Sequence, residues 1–563
     1  MSRANHLRGP VRTAADLIDF GLFRNAIFTI ADEMAVTIFR TAYSGVLKSG
    51  MDYSTALADG AGVVVAQGLT QPSHLGSIPT ALAAVVARAG DAIDPGDVFI
   101  MNDPYAGGMH LPDIFVFKPI FSKGCRIAFA CTICHHSDVG GRVAGSNAAD
   151  STEIFQEGLR IPPLKLYRAG NIDPAIVALI EANVRMPAKL LGDLRAQLAA
   201  CAIAEREVLK LIERFGIDRV LGFLDEVNRH AERVTRAAIA ALPDGKARFV
   251  DHIDDDGIDR DHPIRLECAV EKHGDCFLID WTGTSPQVRG ALNSTLSFTL
   301  AATYTAVKSI LPGDLPNCQG AFRPIEVVVP PGTVLNGVMP AACAARGLTG
   351  FRAVDACFGA LAQLFPDRVP AAGDGGNTGI SIGGYHADGR PFVLVDFFCS
   401  AWGGRPFADG LDGAANVFSN ISAHSIEEME AEHPVRVRRF AYIPGSAGAG
   451  KHRGGSGVVR EYQLLAREAT LQIRADRVSI APYGLSGGPD GRRARNSLSR
   501  GGALMTLPGK ITTDVRAGDV VRIETAGGGG WGDPAKRSAE ALMADERSGL
   551  AAAAMRPAIA TTN

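Results

Sequence analysis

Two short polar strings carry the residues best suited to chemistry, His110-Leu111-Pro112-Asp113 and His135-His136-Ser137-Asp138. Apolar runs at 114–121 and 126–134 lie between them and flank the turn Ser122-Lys123-Gly124, a pattern that predicts an antiparallel hairpin. Pairing about that turn sets residue n opposite roughly 246 − n, so His110 faces about His136 and Asp113 about Ile133, at the hairpin's open end. Strands ~4.8 Å apart can bring two imidazoles and a carboxylate onto one ion, a mixed N/O donor set suited to Mn, Fe or Zn. Histidine is also locally dense: four of the 13 lie in the 63 residues from His74 to His136, against about 1.5 for an even spread. Two other readings fit the same residues: satisfied polar groups in a turn-rich loop, or a histidine acting as a base without a metal. Because both lie at the open end and not in the apolar middle, loss of His110 or Asp113 is expected to leave the fold intact.

Three other motifs are weaker. Cys131-Thr132-Ile133-Cys134-His135 has the spacing of a haem-attachment site but lies inside an apolar strand. Gly445 to Lys451 has the glycine and lysine spacing of a phosphate-binding loop, yet His452 stands where a hydroxyl ligand to magnesium belongs, and Arg453-Gly454-Gly455-Ser456-Gly457 continues the turn. Asp254, Asp256 and Gly257 resemble a calcium loop whose first and twelfth positions are held by His252 and Pro263, so a solvated acidic turn is the better account. Asn102-Asp103-Pro104, Asp150 to Glu157, Arg185 with Asp193, and Asn416 to Glu430 with the Glu427 and Glu430 pair read first as caps and turns.

The elements around these residues follow from periodicity. Thr13 and Asp16 form a capping box, and Phe20, Phe23, Ile27, Ile30, Met34 and Ile38 predict a long helix ending near Gly45. A second helix is expected from Pro79 to about Arg88, with Ser77 as cap and Gly90 as stop. Strands follow at Val98–Met101 and in the hairpin. From Asp173-Pro174 to about Leu242 the pattern is helical with interspersed charges, and beyond Asp244 strand-like runs dominate, with helices near 297–310, 351–364 and 535–546. The expected fold class is α+β: N-terminal helices with a β-hairpin metal site, a central helical layer, and a mainly β second half. The corresponding regions are 1–172, 173–243, 244–535 and a C-terminal helix and tail at 536–563.

Composition bounds the function. The 563 residues are 46% hydrophobic and 21% charged, and 57 Lys+Arg against 60 Asp+Glu give a net charge of −3, without the basic excess of a nucleic-acid binder. The 64 glycines cluster at 371–384, 445–457 and 527–532, where tight turns and close backbone approaches are expected. Ten scattered cysteines, no signal-peptide pattern and no apolar run of about 18 residues point to the cytoplasm, with no membrane span.

The motifs Asn102-Asp103-Pro104, His110-x-x-Asp113 and HHSDVGGRVAGS at 135–146 resemble the hydantoinase B family. EIFQEGLRIPPLKL at 153–166, NVRMP at 183–187, Gly192-Asp193, DWTGTS at 280–285, RGGSG at 453–457 and GGGGWGDP at 527–534 extend the resemblance over about residues 13–535. That family includes the B subunit of ATP-dependent N-methylhydantoinase, the corresponding half of 5-oxoprolinase, and subunits of acetone and acetophenone carboxylases. The resemblance implies a hetero-oligomer in which a hydantoinase A-type partner uses ATP to phosphorylate a carbonyl or enolate oxygen. The B-type subunit then carries a divalent metal (Mn, Zn or Fe) and completes the reaction.

Carried over, the family's metal ligands fall on His110, Asp113 and His135, leaving His136 or Asp138 as the adjacent base. Where the family has an acidic residue three positions before the aspartate of Asp52-Tyr53-Ser54, this sequence has Ser49, so Asp52, Asp138 or water would complete the shell. Ser49→Glu is then expected to tighten metal binding. The resemblance implies an ATP-dependent cyclic amide hydrolase subunit, active only with its partner. The alternatives are a ketone carboxylase subunit and a metal-free structural subunit that docks the ATPase.

Overall fold

A computed structural model describes residues 14–68, 71–376 and 378–551; Thr13 of the capping box lies outside the described residues. The long helix α1 (Ala14–Thr41) stops four residues before Gly45, and Gly45–Lys48 forms a separate turn, α2. The break has a local cause: the Tyr43 and Ser44 N–H groups donate to the Asp193 carboxylate at 2.7 and 3.0 Å. They therefore leave the helical ladder. The next helix, α3 (Ser77–Ala89), begins two residues earlier than expected, with Gly76 and not Ser77 at its N-cap, and Gly90 closes it.

Strands β1 (Tyr53–Asp59), β2 (Val64–Gln67), β3 (Val98–Met101), β4 (Asp113–Ser122), β5 (Cys125–His135), β6 (Leu164–Arg168) and β7 (Asn171–Ile172) form one sheet in the order β2-β1-β5-β4-β3-β6-β7. Both faces are covered. On one face Leu57, Ile100, Ile114, Val116, Ala130 and Cys134 pack with α1 and with the central helices α4 (Pro174–Asn183), α5 (Pro187–Phe215) and α6 (Ile217–Ala240). On the other, Ala56, Met101, Phe115, Phe117, Phe129, Cys131 and Ile133 join a core built with α3 and later elements. Alternate side chains of a strand leave on opposite faces, so Asp113 shares the face of Phe115, and His135 that of Ile133.

The register differs from the expected one. Asp113 pairs with His135, not Ile133, because the turn holds only Lys123 and Gly124 and a bulge at Ile120/Phe121 adds one more residue. A slip of one residue would have turned every side chain over; a slip of two preserves the face.

In the second half, β8 (Gly245–Ile253), β9 (Ile264–His273), β10 (Cys276–Asp280) and β11 (Ile325–Val328) form a sheet against which α7 (Leu296–Ser309) and α8 (Arg346–Leu364) pack. Two further sheets enclose another core: β13-β12-β16-β19 and β14-β15-β20-β17-β18. Their strands are β12 (Gly379–Tyr385), β13 (Pro391–Phe397), β14 (Val435–Tyr442), β15 (Val458–Leu464), β16 (Glu468–Arg474), β17 (Arg495–Arg500), β18 (Ala503–Leu507), β19 (Lys510–Arg516) and β20 (Val520–Glu524). Helix α9 (Ile426–Glu432) covers this unit's edge, and α10 (Ala539–Arg547) ends the described chain with Ser538 as its cap. The fold is α+β as expected: N-terminal helices, a central helical layer and a mainly β second half.

The phosphate-loop spacing at Gly445–Lys451 is a packing device. Gly448 N–H donates to Gly528 O at 2.8 Å and Gly454 N–H to Gly448 O at 2.9 Å. A Cβ on Gly530 would lie 1.7 Å from Ala449 O, so no side chain fits there. The acidic turn at Asp254–Gly257 is buried and not solvated as expected. Asp254 accepts N–H bonds from Val478, Ser479 and Ile480, and Asp256 from Ile258, Asp259 and Gly290. Both aspartates organise backbone. Cys131 and Cys134 are buried within β5 on opposite faces, which leaves no common side for a haem.

Candidate metal centre

Asp113 opens β4 and His135 closes β5 as its cross-strand partner, while His110 stands three residues ahead in the turn that enters β4. One ligand atom from each of the three lies within 4.8 Å of the others, and all three residues are buried. His110 Nδ1 meets the Ala344 carbonyl at 3.2 Å, so Nδ1 carries the proton and Nε2 presents a lone pair. That Nε2 is 3.1 Å from Asp113 Oδ2 but is not aligned as a hydrogen bond, and neither nitrogen of His135 has any partner. The His135 ring packs at 5.0 Å against His110 and edge-on at 5.5 Å against Phe397.

Electrostatics favour the ligating forms. Burial, reinforced by Arg346, holds His110 below the usual histidine value, and burial next to His110 holds His135 well below it, so both rings are neutral at pH 7. Burial pushes Asp113 upward, but the Arg346 guanidinium bonded to it opposes that and keeps the carboxylate ionised. Arg346 donates from Nη2 to Asp113 Oδ2 at 2.6 Å and lies 4.1 Å over the Phe298 ring, which fixes the carboxylate's position. Buried polar atoms almost always have partners. One orphaned nitrogen from each of the two imidazoles, brought together beside an ionised carboxylate, therefore fits a divalent transition-metal ion.

The cluster lines a small cavity whose walls include Asp52, His74, Asn147, Arg346, Phe397 and Arg474. Asp52 is pushed up to about 7 by burial and by the Asp113 carboxylate. Burial lowers His74 to about 4, and its Nδ1 lies 2.8 Å from Ser54 Oγ. A second cavity shares Gln71, His74 and Ser419 as walls.

The expected bases lie elsewhere. His136 leaves β5 on the opposite face, where its Nε2 meets Gln197 Oε1 of α5 at 3.3 Å. Asp138 is consumed by Arg185, whose Nη1 reaches Oδ1 and whose N–H reaches Oδ2, both at 2.9 Å, and by the N–H groups of Gly140 and Gly145. Arg185 thus pairs with Asp138 and not with Asp193. Ser49 is also outside the cavity and donates to the Glu428 carboxylate of α9. Of the fourth-ligand candidates, Asp52 alone lines the cavity. The remaining polar strings are structural: Asn102 bonds Leu111 O, Leu159 O and Ile161 N, and Glu430 accepts from Val437 N.

Residues 16–534 match the family described as Hydantoinase B/oxoprolinase. The chain belongs to the hydantoinase B/oxoprolinase family. Within it, the caprolactamase subunit beta of Pseudomonas jessenii is 31% identical over 564 residues, covering 95% of this chain and 94% of that one. The crystal structure of the ATP-dependent caprolactamase from that organism superposes with a TM-score of 0.90 over 96% of this chain and 95% of the other, at 29% identity. The 5-oxoprolinase of Dictyostelium discoideum is 30% identical over 93% of this chain but 41% of its own length. Acetone carboxylase in its nucleotide-free structure shares the fold, with a TM-score of 0.90 over 96% of this chain and 78% of that one at 20% identity.

Arg346, Asn147 and Arg474 escaped the sequence reading, and His74 entered it only through the local density of histidine. The signal was present but inverted in β16, where Gln472 and Arg474 alternate with the core residues Leu471 and Ile473 and so read as a solvent face. They are buried instead.

Proposed function

We propose that this chain is the metal-carrying B-type subunit of an ATP-dependent cyclic amide hydrolase of the hydantoinase/oxoprolinase type. The observation that carries this reading is the buried His110, Asp113 and His135 triad with its unpartnered nitrogens on the wall of a cavity. When held by these three residues, a divalent cation supplies carbonyl polarisation and makes water a usable nucleophile near neutral pH. An A-type partner would phosphorylate the amide oxygen with ATP, leaving the adjacent carbon electrophilic. The chain's own residues then have separable tasks. Ala344 O sets the His110 tautomer and Arg346 immobilises Asp113. His136 and Asp138 face other partners, so the proton-accepting role passes to Asp52 on the cavity wall.

The test reconstitutes the chain with its A-type partner and measures ATP hydrolysis against hydantoin, 5-oxoproline and caprolactam, with and without bicarbonate. Substrate-dependent ATP hydrolysis with ring opening, abolished in His135→Ala, is expected, together with no ATP hydrolysis by the chain alone. Turnover of a ketone that requires bicarbonate would replace this reading with a carboxylase. Full activity in His135→Ala would remove the metal role.

A further inference from the structure

The cavity that holds the triad has a second, differently built end. Arg474, the last residue of β16, is 3% exposed. Its Nη1 donates to Ser381 Oγ at 3.0 Å and to Asn147 O at 3.3 Å, and its Nη2 has no partner. No carboxylate compensates this guanidinium among the described residues: burial alone acts on it, lowering it to about 9. Beside it, Asn147 is 1% exposed, and both its side-chain oxygen and its nitrogen are unpartnered. Both residues line the same cavity as His110, Asp113 and His135.

Phe397 locates this end relative to the triad. The Arg474 guanidinium lies 5.7 Å from the ring's centroid, and the same ring meets His135 edge-on at 5.5 Å. The two ends are therefore one aromatic ring apart. Arg346, the other cation of the cavity, is spent on Asp113. Ser381 and a backbone carbonyl need only a neutral donor, so within the protein only the Phe397 ring, a weak partner at 5.7 Å, meets the charge of Arg474. A buried cation without a counter-ion is costly and persists where a ligand supplies the missing charge.

We propose that Arg474 and Asn147 form an oxyanion-binding subsite beside the metal triad, which takes either a carboxylate carried by the substrate or the phosphoryl group installed on it. Guanidinium forks bind both groups through paired N–H donors, and the Asn147 amide adds one more. What the anion is rests on the hydrolase reading above; that an anion binds there does not.

The test titrates the full chain, with chelator present and then loaded with Mn, using inorganic phosphate, 2-pyrrolidone-5-carboxylate and neutral 2-pyrrolidone. Calorimetric titration of metal-free protein removes the ion as a competing anion site. Arg474→Met is expected to weaken anion binding at least tenfold, to leave 2-pyrrolidone and Mn affinity unchanged, and to leave Tm unchanged or raise it, since an uncompensated buried charge is gone. Asn147→Ala, a smaller change, is expected to weaken the same anions several-fold. Loss of phosphate binding alone assigns the subsite to the phosphoryl group, and loss of carboxylate binding, with or without phosphate, assigns it to the substrate's own anion. Wild-type protein that binds neither anion, or variants that bind both as wild type does, overturns the subsite. Failure of the chain to hold Mn would sink the metal reading alone, because the metal-free titration still decides this one.

Discussion

Two buried polar clusters in this molecule are alike in burial and opposite in completeness. One is an ionic knot between α8, β8, the segment after β16 and the start of β19. There Arg352 meets Asp476 and, at 3.5 Å, Asp251; Arg477 meets Asp355 at 2.7 Å and Asp251 at 3.2 Å; and Lys510 meets Asp476 at 3.1 Å. Every cation of the knot faces a carboxylate. The other cluster is the triad cavity, where His135 has no partner and Arg474 has no counter-ion. Burial of charge is thus no indicator of function by itself; what separates a brace from a binding site is whether the protein supplies each buried cation with a carboxylate. The knot joins elements from distant parts of the chain, whereas the cavity leaves room for something else.

Breaking the knot should produce the largest effect on stability. Asp476→Ala takes from Arg352 and Lys510 their shorter carboxylate contacts, leaving only Asp251 at 3.5 Å and Asp255 at 3.8 Å, and losing one partner of a buried pair costs about 3–5 kcal/mol. Denaturant unfolding should show that loss, while the fraction still folded should bind Mn as wild type does. Asp113→Ala ranks next because Asp113 belongs to both classes: it is a ligand candidate and also the sole carboxylate on Arg346 Nη2. That contact adds a stability cost that the sequence-based expectation of an intact fold did not include. About 3 kcal/mol should be lost along with the metal. Asp113→Asn, which can still accept from Arg346, should lose the metal and keep most of the stability.

His135→Ala is expected to separate the classes most cleanly. No protein group depends on its nitrogens, so only packing against His110 and Phe397 is lost, about 1–2 kcal/mol, yet stoichiometric metal should disappear in elemental analysis. A drop in stability as large as that of Asp476→Ala would mean that the triad is a second brace.

How much of this was legible in the sequence depended on locality. The hairpin and its polar ends were readable because turn and alternation lie within one stretch, and the two-residue error in register left Asp113 and His135 on the right face. Strand β1 was not read: YSTALAD is buried on both faces and flanked by β2 and β5, so it shows neither alternation nor a run of branched residues. Arg346 and Arg474 reach the cavity from more than 200 residues beyond the hairpin, and no local pattern distinguishes them from surface arginines. The placement of His136 and Asp138 away from the cavity was hidden for a different reason. Adjacency in sequence placed them beside His135, whereas the pleat sends the first to the helical side and the loop that follows ties the second to Arg185.

The smallest expected effect belongs to Ser49, and it reverses what family resemblance implied. A glutamate there would not join the metal site, since Ser49 lies outside the cavity and its hydroxyl donates to Glu428. Ser49→Glu sets two carboxylates against each other in a half-buried position. At an effective dielectric between those of water and protein, that repulsion is worth about 1 kcal/mol once the side chains relax. Thermal unfolding should show a modest loss, and titration with Mn and Zn should show no tightening. The double variant Ser49→Glu/Glu428→Ser moves a single carboxylate across the same contact and should recover the lost stability, because one acceptor and one hydroxyl again face each other. Tightened metal binding in the single variant would instead mean that the turn after α2 can swing toward His135. The distinction drawn between groups that complete the protein and groups that await a ligand would then fail at this residue.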